Sequence, residues 1–356
     1  MLKARQCIRE MREYSSPLET PAADLRLDLN ENTTGCSPRV LAKLRGIDAS
    51  TLSLYCSRES GERLVASSTG VQPSQLMLTN GADEGIDLLC RAYLDAGDEL
   101  IVVVPAFAMY EVFAQASGSR VVRVPAGPEF AFPCENILQA IGPRTRMVVI
   151  TNPNNPTGAT ASREDILRVL EAAPDAAVLL DEAYFDFCGL TMMDQVGTIP
   201  NLFVARTFSK AYGLAGLRIG VMAGDAAQIA VLRRVCPPFN LNAVALACLA
   251  EALADREFVS NYVRQIKTTR EWVRLQLENL GFKCWPSETN FILCRFGSAK
   301  SAILQGLRAA GISLRDRPDC EGCVRISIGK QQEMERVIAE LKRTVGQVTS
   351  AQQVAP

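Results

Sequence analysis

A lysine beside a glycine-rich segment could perform carbonyl chemistry in this chain. Lys210 follows the apolar run Leu202–Ala205, where a predicted buried strand ends and glycines become frequent. Burial disfavours the charged form of a lysine, so its neutral amine could attack a carbonyl carbon. Thr207, Ser209 and Arg218 could donate hydrogen bonds to a phosphate. A surface lysine after an ordinary turn would explain the same segment, so the chemical interpretation depends on the rest of the chain.

Three other predicted strands also end in residues that could do chemistry. These residues are Tyr110, Asn155, and Asp181 with Tyr184. Each one alone could be structural, because aromatic residues fill cores, Asn and Pro form turns, and Asp caps helices. The carboxyl ends of parallel strands meet at one edge of a sheet, where active sites of such folds lie. Four strands that end in Tyr, Asn, Asp with Tyr, and Lys therefore indicate one shared site.

A glycine turn between a strand and a helix could bind a phosphate. The strand Leu76–Thr79 leads through Gly81 into a predicted helix, and the backbone N–H groups of Ala82 and Asp83 lie at its start. These groups lie at the positive end of the helix dipole, which favours anions. Acidic residues are common in the first helical turn, so a simple helix start is the alternative.

Buried strands that alternate with helices must position these residues. Apolar runs without alternation indicate strands buried on both faces, hence a mostly parallel sheet between two helical layers. We therefore predict an α/β fold of three layers, α/β/α, with a smaller α+β domain at the C-terminal end. The predicted strands of the larger part are Leu76–Thr79, Leu100–Val104, Arg120–Val124, Met147–Thr151, Ala177–Leu180, Leu202–Ala205 and Ile219–Met222.

The chain of 356 residues is long for one compact core, so two domains are expected. Residues 1–34 are predicted to form an N-terminal arm and part of the small domain. Residues 35–235 would form the large domain, 236–346 the small domain, and 347–356 a frayed tail. The apolar stripe of the long helix Phe258–Leu280 would link the domains, and the last helix is predicted at Gln331–Val345.

Composition excludes several classes of function. Lysine and arginine total 38 against 39 acidic residues, a net charge of -1, so neither nucleic acid nor an anionic membrane is an expected partner. No apolar run has the length of a membrane span, and a cytoplasmic location is expected. Twelve scattered cysteines indicate reduced thiols. Histidine is absent, which excludes Ser-His-Asp hydrolases, Cys-His proteases and His-ligated zinc.

The motifs in this order resemble those of the fold-type I, pyridoxal-phosphate-dependent aminotransferases. They are Asn-Pro-Asn-Asn-Pro-Thr-Gly at 152–158, Asp-Glu-Ala-Tyr at 181–184, Ser209-Lys210 and Gly-Leu-Arg-Ile-Gly at 216–220. Within that class, the chain is most similar to the histidinol-phosphate aminotransferases. The narrower match rests on 29–32, 81–85, 105–110 and 323–329, and it covers about residues 14–345.

The resemblance implies a role for each matching residue. Lys210 would bind the cofactor, pyridoxal 5'-phosphate, as a Schiff base and then move a proton. Asp181 would pair with the pyridine nitrogen, Asn155 and Tyr184 would bind the ring oxygen, and Tyr110 would stack on the ring. The cofactor phosphate would contact Ala82, Asp83, Thr207, Ser209 and Arg218 of one subunit and Tyr55 of the partner subunit, so a homodimer is expected.

For the substrate, the resemblance implies that Tyr14, Arg315 and Arg325 bind the phosphate of histidinol phosphate, near Asn155. Glutamate would place its carboxylate in the same pocket and give 2-oxoglutarate. Two departures from the family pattern occur. Leu54-Tyr55-Cys56 replaces a usual Arg-Tyr-Pro, and Phe107 stands where tyrosine is common.

Three other functions stay open at this level. An aromatic amino-acid aminotransferase would use the same machinery. A threonine-phosphate decarboxylase would also need a phosphate-binding arginine pair. A protein that binds the cofactor without turnover is the alternative from a different class.

Overall fold

The computed structural model describes residues 2–13 and 23–354, and these form two sheets surrounded by helices. The strands are β1 (Leu25–Leu27), β2 (Leu76–Thr79), β3 (Glu99–Val104), β4 (Arg120–Pro125), β5 (Thr145–Thr151), β6 (Ala177–Asp181), β7 (Leu202–Thr207), β8 (Gly220–Gly224), β9 (Lys283–Cys284), β10 (Phe291–Arg295), β11 (Ile312–Arg317) and β12 (Cys323–Ser327). The helices are α1 (Gln6–Glu10), α2 (Pro38–Arg45), α3 (Ala49–Ser53), α4 (Glu59–Thr69), α5 (Gly81–Tyr93), α6 (Met109–Ser117), α7 (Cys134–Ala140), α8 (Arg163–Ala172), α9 (Phe185–Cys188), α10 (Ala226–Val235), α11 (Ala243–Ala254), α12 (Arg256–Asn279), α13 (Lys300–Ala309) and α14 (Gln331–Val354).

The larger sheet has the strand order β2-β8-β7-β6-β5-β3-β4. Strands β3 to β7 are parallel to one another, and β8 runs antiparallel to both β2 and β7. Along β5, Val148 and Ile150 pack in one hydrophobic cluster, and Met147 and Val149 pack in another. Alternate side chains point to opposite faces of a strand, so both faces of the sheet are buried. The prediction of a three-layer α/β/α fold is confirmed.

The smaller sheet has the order β1-β11-β12-β10-β9 and packs against α12 and α13, and α14 shares its hydrophobic core. Strand β1 runs parallel to β11, with Leu25 opposite Ile312, and the other neighbours are antiparallel. Leu27, Phe291 and Ile326 are buried in the core that this sheet shares with its helices. The predicted α+β unit is therefore present.

Helix boundaries follow local signals where these are strong. Helix α8 begins at Arg163 because Ser162 caps it by accepting a hydrogen bond from the Asp165 N–H. The prediction that the last helix ends at Val345 is wrong, since α14 continues to Val354. The frayed tail at 347–356 stays a prediction. A lone glycine costs a helix only about 1 kcal/mol, and no proline interrupts this stretch before residue 356.

The domain boundaries at residues 34, 235 and 346 remain predictions. Helix α11 packs against α2 and α4 in a core cluster of the larger sheet, which favours a second boundary after α11. All twelve cysteines lie in the described part of the chain, where each is a free thiol. Within the described residues, no helix is both long and apolar enough to cross a membrane.

Candidate active site

A cavity of about 810 Å³ lies at the carboxyl ends of β3, β5, β6 and β7, and β11 and β12 of the smaller sheet close it. Parallel strands bring their ends together here, as the fold requires. The predicted site residues that line it are Ala82, Asp83, Tyr110, Asn155, Asp181, Tyr184, Thr207, Ser209, Lys210, Arg218, Arg315 and Arg325. Tyr55 lies outside the lining that the described residues form, and Tyr14 lies outside the described residues.

Within the part of the chain that the structure describes, one backbone group accepts a hydrogen bond from Lys210 in the cavity. Its Nζ donates a hydrogen bond to the carbonyl oxygen of Leu29 at 2.9 Å. Burial lowers the pKa of this amine to about 8, and the positive charge of Arg325 acts in the same direction. About a tenth of the Lys210 amine is therefore neutral at pH 7, far more than for an ordinary lysine, and a nucleophile or a base must be neutral.

Asp181, at the end of β6, is 4% exposed and faces the same cavity. Its Oδ2 accepts a hydrogen bond from Tyr110 Oη at 2.5 Å, and its Oδ1 accepts one from the Ala183 N–H at 2.9 Å. Burial is the largest effect and raises the pKa of this carboxyl to about 6, although both hydrogen bonds lower it. A buried carboxylate of this kind is stabilised by a cationic partner.

The hydroxyl of Tyr110 makes hydrogen bonds that the amino-acid sequence does not indicate. Its hydroxyl donates to Asp181 and also accepts from Thr151 Oγ1 at 3.0 Å, while its ring is fully buried. Stacking of Tyr110 on a cofactor ring stays a prediction. Thr151, the last residue of β5, is one lining residue that sequence reasoning missed.

Arg325 connects the two sheets across the cavity. Its Nη1 donates to Asn155 Oδ1 at 2.6 Å, and its Nη2 donates to the Asp28 carbonyl oxygen at 2.5 Å. Arg315 lies opposite Arg325 in the β11–β12 register, so two arginine side chains line one side of the cavity. Such a pair suits phosphate or carboxylate oxygens.

Tyr184 is buried in the same cavity lining. Its Oη accepts a hydrogen bond from Asn30 Nδ2 at 2.8 Å, and burial raises the pKa of its hydroxyl.

The start of α5 forms a cradle of backbone N–H groups. Gly81 has φ of +75° and donates its N–H to the Arg218 carbonyl oxygen at 3.1 Å. A Cβ at Gly81 would lie 2.3 Å from Arg218 Nη2, and a Cβ at Gly220 would lie 2.5 Å from the Gly81 carbonyl carbon. Within the described residues, the Asn80 side chain does not cap the helix. The N–H groups of Ala82 and Asp83, two residues that line the cavity with Arg218, are therefore the ones that suit a phosphate.

Several lining residues were not predicted as site residues. Arg317 is two residues from Arg315 on β11, so the alternation of the strand could have indicated it. Its Nη2 donates to the Ala106 carbonyl oxygen at 3.1 Å and pairs with Asp319. Glu31 forms an ion pair with Arg26 at the cavity edge. Arg123 pairs with Glu111, and sequence gives no signal for either contact.

This fold, with a half-buried lysine, a buried carboxylate and an anion cradle in one cavity, agrees with the comparison with known families. Residues 23–341 match the model of the family "Aminotransferase class I and II". The chain belongs to this family, so the predicted resemblance is confirmed.

The relatives give a narrower similarity. The chain is 35% identical over 322 residues to a histidinol-phosphate aminotransferase of Dehalococcoides mccartyi, covering 89% of each chain. It is 36% identical over 347 residues to a histidinol-phosphate aminotransferase of Roseiflexus castenholzii, covering 92% of this chain and 93% of the relative. Among solved structures, it is similar to the histidinol-phosphate aminotransferase of Sinorhizobium meliloti in complex with pyridoxal-5'-phosphate. That match has a TM-score of 0.90 and 24% identity, and covers 98% of this chain and 99% of the other.

Proposed function

We propose that this chain is a pyridoxal-phosphate-dependent histidinol-phosphate aminotransferase of histidine biosynthesis. It would convert histidinol phosphate and 2-oxoglutarate into imidazole acetol phosphate and glutamate. One observation carries the proposal: Lys210, Asp181 and the pair Arg315 and Arg325 line the same cavity. The names of the relatives at 35% and 36% identity over about nine tenths of the chain support it.

The residues present fit pyridoxal phosphate. Its phosphate suits the N–H groups of Ala82 and Asp83, the hydroxyls of Thr207 and Ser209, and Arg218. Its pyridine nitrogen, when protonated, suits the buried Asp181 carboxylate, and its aldehyde suits the amine of Lys210. When bound, the cofactor supplies an electron-accepting ring that stabilises negative charge on the substrate carbon that loses its proton.

The side chains of the cavity would divide the work of the reaction. Lys210 Nζ would hold the aldehyde carbon until the amine of the substrate displaces it, and the released neutral amine of Lys210 would then take a proton from the substrate carbon. Asp181 would hold the ring nitrogen in its protonated form. Asn155 and Tyr184 would orient the ring through its oxygen, and Tyr110 would fix the position of the Asp181 carboxylate.

Substrate choice would depend on the two arginines. A phosphate and a carboxylate are both anions that a planar guanidinium can bind with two hydrogen bonds. Arg315 and Arg325 would therefore accept the phosphate of histidinol phosphate in one half-reaction and the side-chain carboxylate of glutamate in the other. Tyr14, placed beside the phosphate by the sequence resemblance, stays a prediction.

A screen of amino donors against 2-oxoglutarate tests the proposed function. Histidinol phosphate, phenylalanine, tyrosine and threonine phosphate are supplied in parallel, and both glutamate formation and CO₂ release are measured. We expect the highest kcat/KM with histidinol phosphate and no CO₂. A preference for an aromatic amino acid, or CO₂ from threonine phosphate, would replace the proposal with the corresponding alternative.

Arg315→Ala should weaken the use of histidinol phosphate more than that of glutamate. Loss of a charged hydrogen-bonding partner from the dianionic phosphate should lower kcat/KM about 10- to 100-fold. Steady-state kinetics with each donor measures the two effects. Arg317→Ala, a neighbour on the same strand that already pairs with Asp319, should affect both donors alike. Equal losses in Arg315→Ala would contradict phosphate recognition by this residue.

Gly81→Ala should weaken binding of the cofactor phosphate. The added Cβ would displace the guanidinium of Arg218 from the cradle, and the positive φ would be strained. We expect about a tenfold higher Kd for pyridoxal phosphate, measured by titration of the cofactor-free protein. Gly70→Ala is the matched control, because Gly70 has φ of +81° with open space around it. A similar Kd increase in both variants would assign the effect to backbone strain alone.

The proposal includes a homodimer in the cytoplasm. Tyr55 is 84% exposed and stacks on Phe239, with ring centroids 4.2 Å apart, and Leu52 and Leu54 are exposed beside it. Such a patch is more apolar than a monomer surface needs, and a second copy would cover it. We expect the mass of a dimer in sedimentation experiments. A stable monomer with full activity would contradict a contribution of Tyr55 to the partner's site.

A further inference from the structure

A second cavity, of about 520 Å³, lies beside the main one, and Thr207 lines both. It is formed by α4, the start of α9, the end of β7 and one face of α12. Its volume is in the range of sites for small molecules. Its apolar walls include Val65, Phe185, Phe208, Tyr212, Val221 and Val263.

Two carboxylates line the inner end of this second cavity, and they differ in whether other side chains pair with them. Glu182 is fully paired, because Arg206 Nη2 lies 2.8 Å from its Oε2 and the guanidinium stacks 3.7 Å from the centre of the Phe185 ring. The Asp186 carboxylate also lines the cavity, but it accepts no hydrogen bond from another residue in the described part of the chain. Asp186 is thus placed to accept a hydrogen bond from an N–H or O–H group of a ligand.

The mouth of the second cavity is cationic. Arg256, Ser260, Arg264 and Lys267 recur at helical spacing on α12, so they lie on one face, and all four are exposed lining residues. None of the three cations forms an ion pair with a carboxylate of the described residues. Unpaired positive charge beside low-dielectric walls attracts anions.

We propose that this second cavity binds small organic anions that carry an apolar ring system and an N–H or O–H group. The ring system contacts the apolar walls, the N–H or O–H group donates to Asp186, and the anionic group lies between Arg264 and Lys267. This assignment is independent of the proposed aminotransferase activity. A ligand here contacts Glu182 and Thr207, next to residues that line the main cavity.

The probe for this site is 2-(p-toluidino)naphthalene-6-sulfonate, which combines two ring systems with an N–H group and a sulfonate at opposite ends of the naphthalene. Fluorescence titration of the cofactor-loaded protein should show saturable binding of one probe per chain. The double variant R264E/K267E should raise the Kd about tenfold or more, because attraction at the mouth becomes repulsion. Asp186→Asn should raise the Kd about fivefold by weakening the inner hydrogen bond.

The matched control is R308E/K330E, which makes the same change of net charge at exposed positions outside the cavity lining. Its Kd should equal that of the unchanged protein. Equal losses in both double variants would assign binding to net charge and overturn the site. An unchanged Kd in R264E/K267E would place the probe elsewhere and would also overturn the site. A titration without saturation would overturn it as well. Thermal unfolding of each variant verifies that it is folded.

Discussion

Lys210→Ala is expected to lose at least about 10⁴-fold of transaminase activity, because one side chain would serve both as the attacking amine and as the proton carrier. Its pKa of about 8 and its place in the cavity lining support both roles. The measurement is the initial rate of glutamate formation from histidinol phosphate and 2-oxoglutarate. The variant should still fold, since among the described residues Nζ makes one hydrogen bond, to the Leu29 carbonyl oxygen.

A chemical test accompanies the kinetics of Lys210→Ala. Borohydride should fix pyridoxal phosphate to the unchanged protein, and mass spectrometry should locate it at Lys210. In Lys210→Ala, the fixed adduct should be absent. Lys43→Ala, which removes an exposed lysine of α2, is the control and should keep both the activity and the adduct. An adduct that persists in Lys210→Ala would contradict the assignment.

Asp181→Asn is the second variant with a large expected effect. An amide does not keep a ring nitrogen protonated, so we expect activity to fall about 10²- to 10⁴-fold. Glutamate formation again measures the loss. Asp194→Asn is the matched control: this exposed carboxylate pairs with Arg163 outside the cavity lining, and it should leave activity unchanged. Full activity in Asp181→Asn would refute the pairing with the cofactor nitrogen.

The same substitution should stabilise the cofactor-free protein. The folded-state pKa of Asp181 lies above its ordinary value of 3.8, at about 6. Asp181 therefore contributes to stability when protonated, and this contribution is lost as pH rises from about 4 through about 6. The difference between these two pKa values lowers the free energy of unfolding at neutral pH by about 3 kcal/mol. Asp181→Asn should remove most of this pH dependence, as measured by urea unfolding of the cofactor-free protein at several pH values.

The pKa of Asp194 is shifted in the opposite direction, so its contribution to stability depends on pH in the opposite way. The hydrogen bond from Arg163 lowers the pKa of Asp194 to about 2, so its contribution to stability is present above pH 4 and is lost as pH falls. Asp194→Asn should therefore lower stability slightly at neutral pH. If both asparagine variants changed the stability of the cofactor-free protein in the same direction, burial of Asp181 would not be the cause.

Much of the fold and of the cavity lining could be predicted because local patterns determine them. The apolar runs before Asp181 and Lys210 indicate strands buried on both faces, and parallel pairing brings the strand ends together without further information. The glycine at position 81 similarly marks a tight turn into a helix. Such signals lie within a few residues of the site that they describe.

Other contacts depend on residues far apart in the chain. The hydrogen bond from Arg325 to Asn155 and the one from Tyr110 to Asp181 require a particular packing of distant elements. Glu129, with φ of +54°, binds both Lys283 of β9 and Trp285 just after that strand. Periodicity carries no information on which distant side chain a polar group meets, so these contacts could not be predicted.

Strand β1 has a consequence for synthesis of the protein on the ribosome. It pairs with β11, so its partner strand emerges only when most of the chain has been translated. The residues just after β1 complete the cavity, because the Leu29 carbonyl oxygen accepts from Lys210 and Asn30 donates to Tyr184. The parallel strands of the larger sheet can assemble earlier, since domains generally fold as units during translation. A nascent chain would therefore acquire its catalytic pocket last.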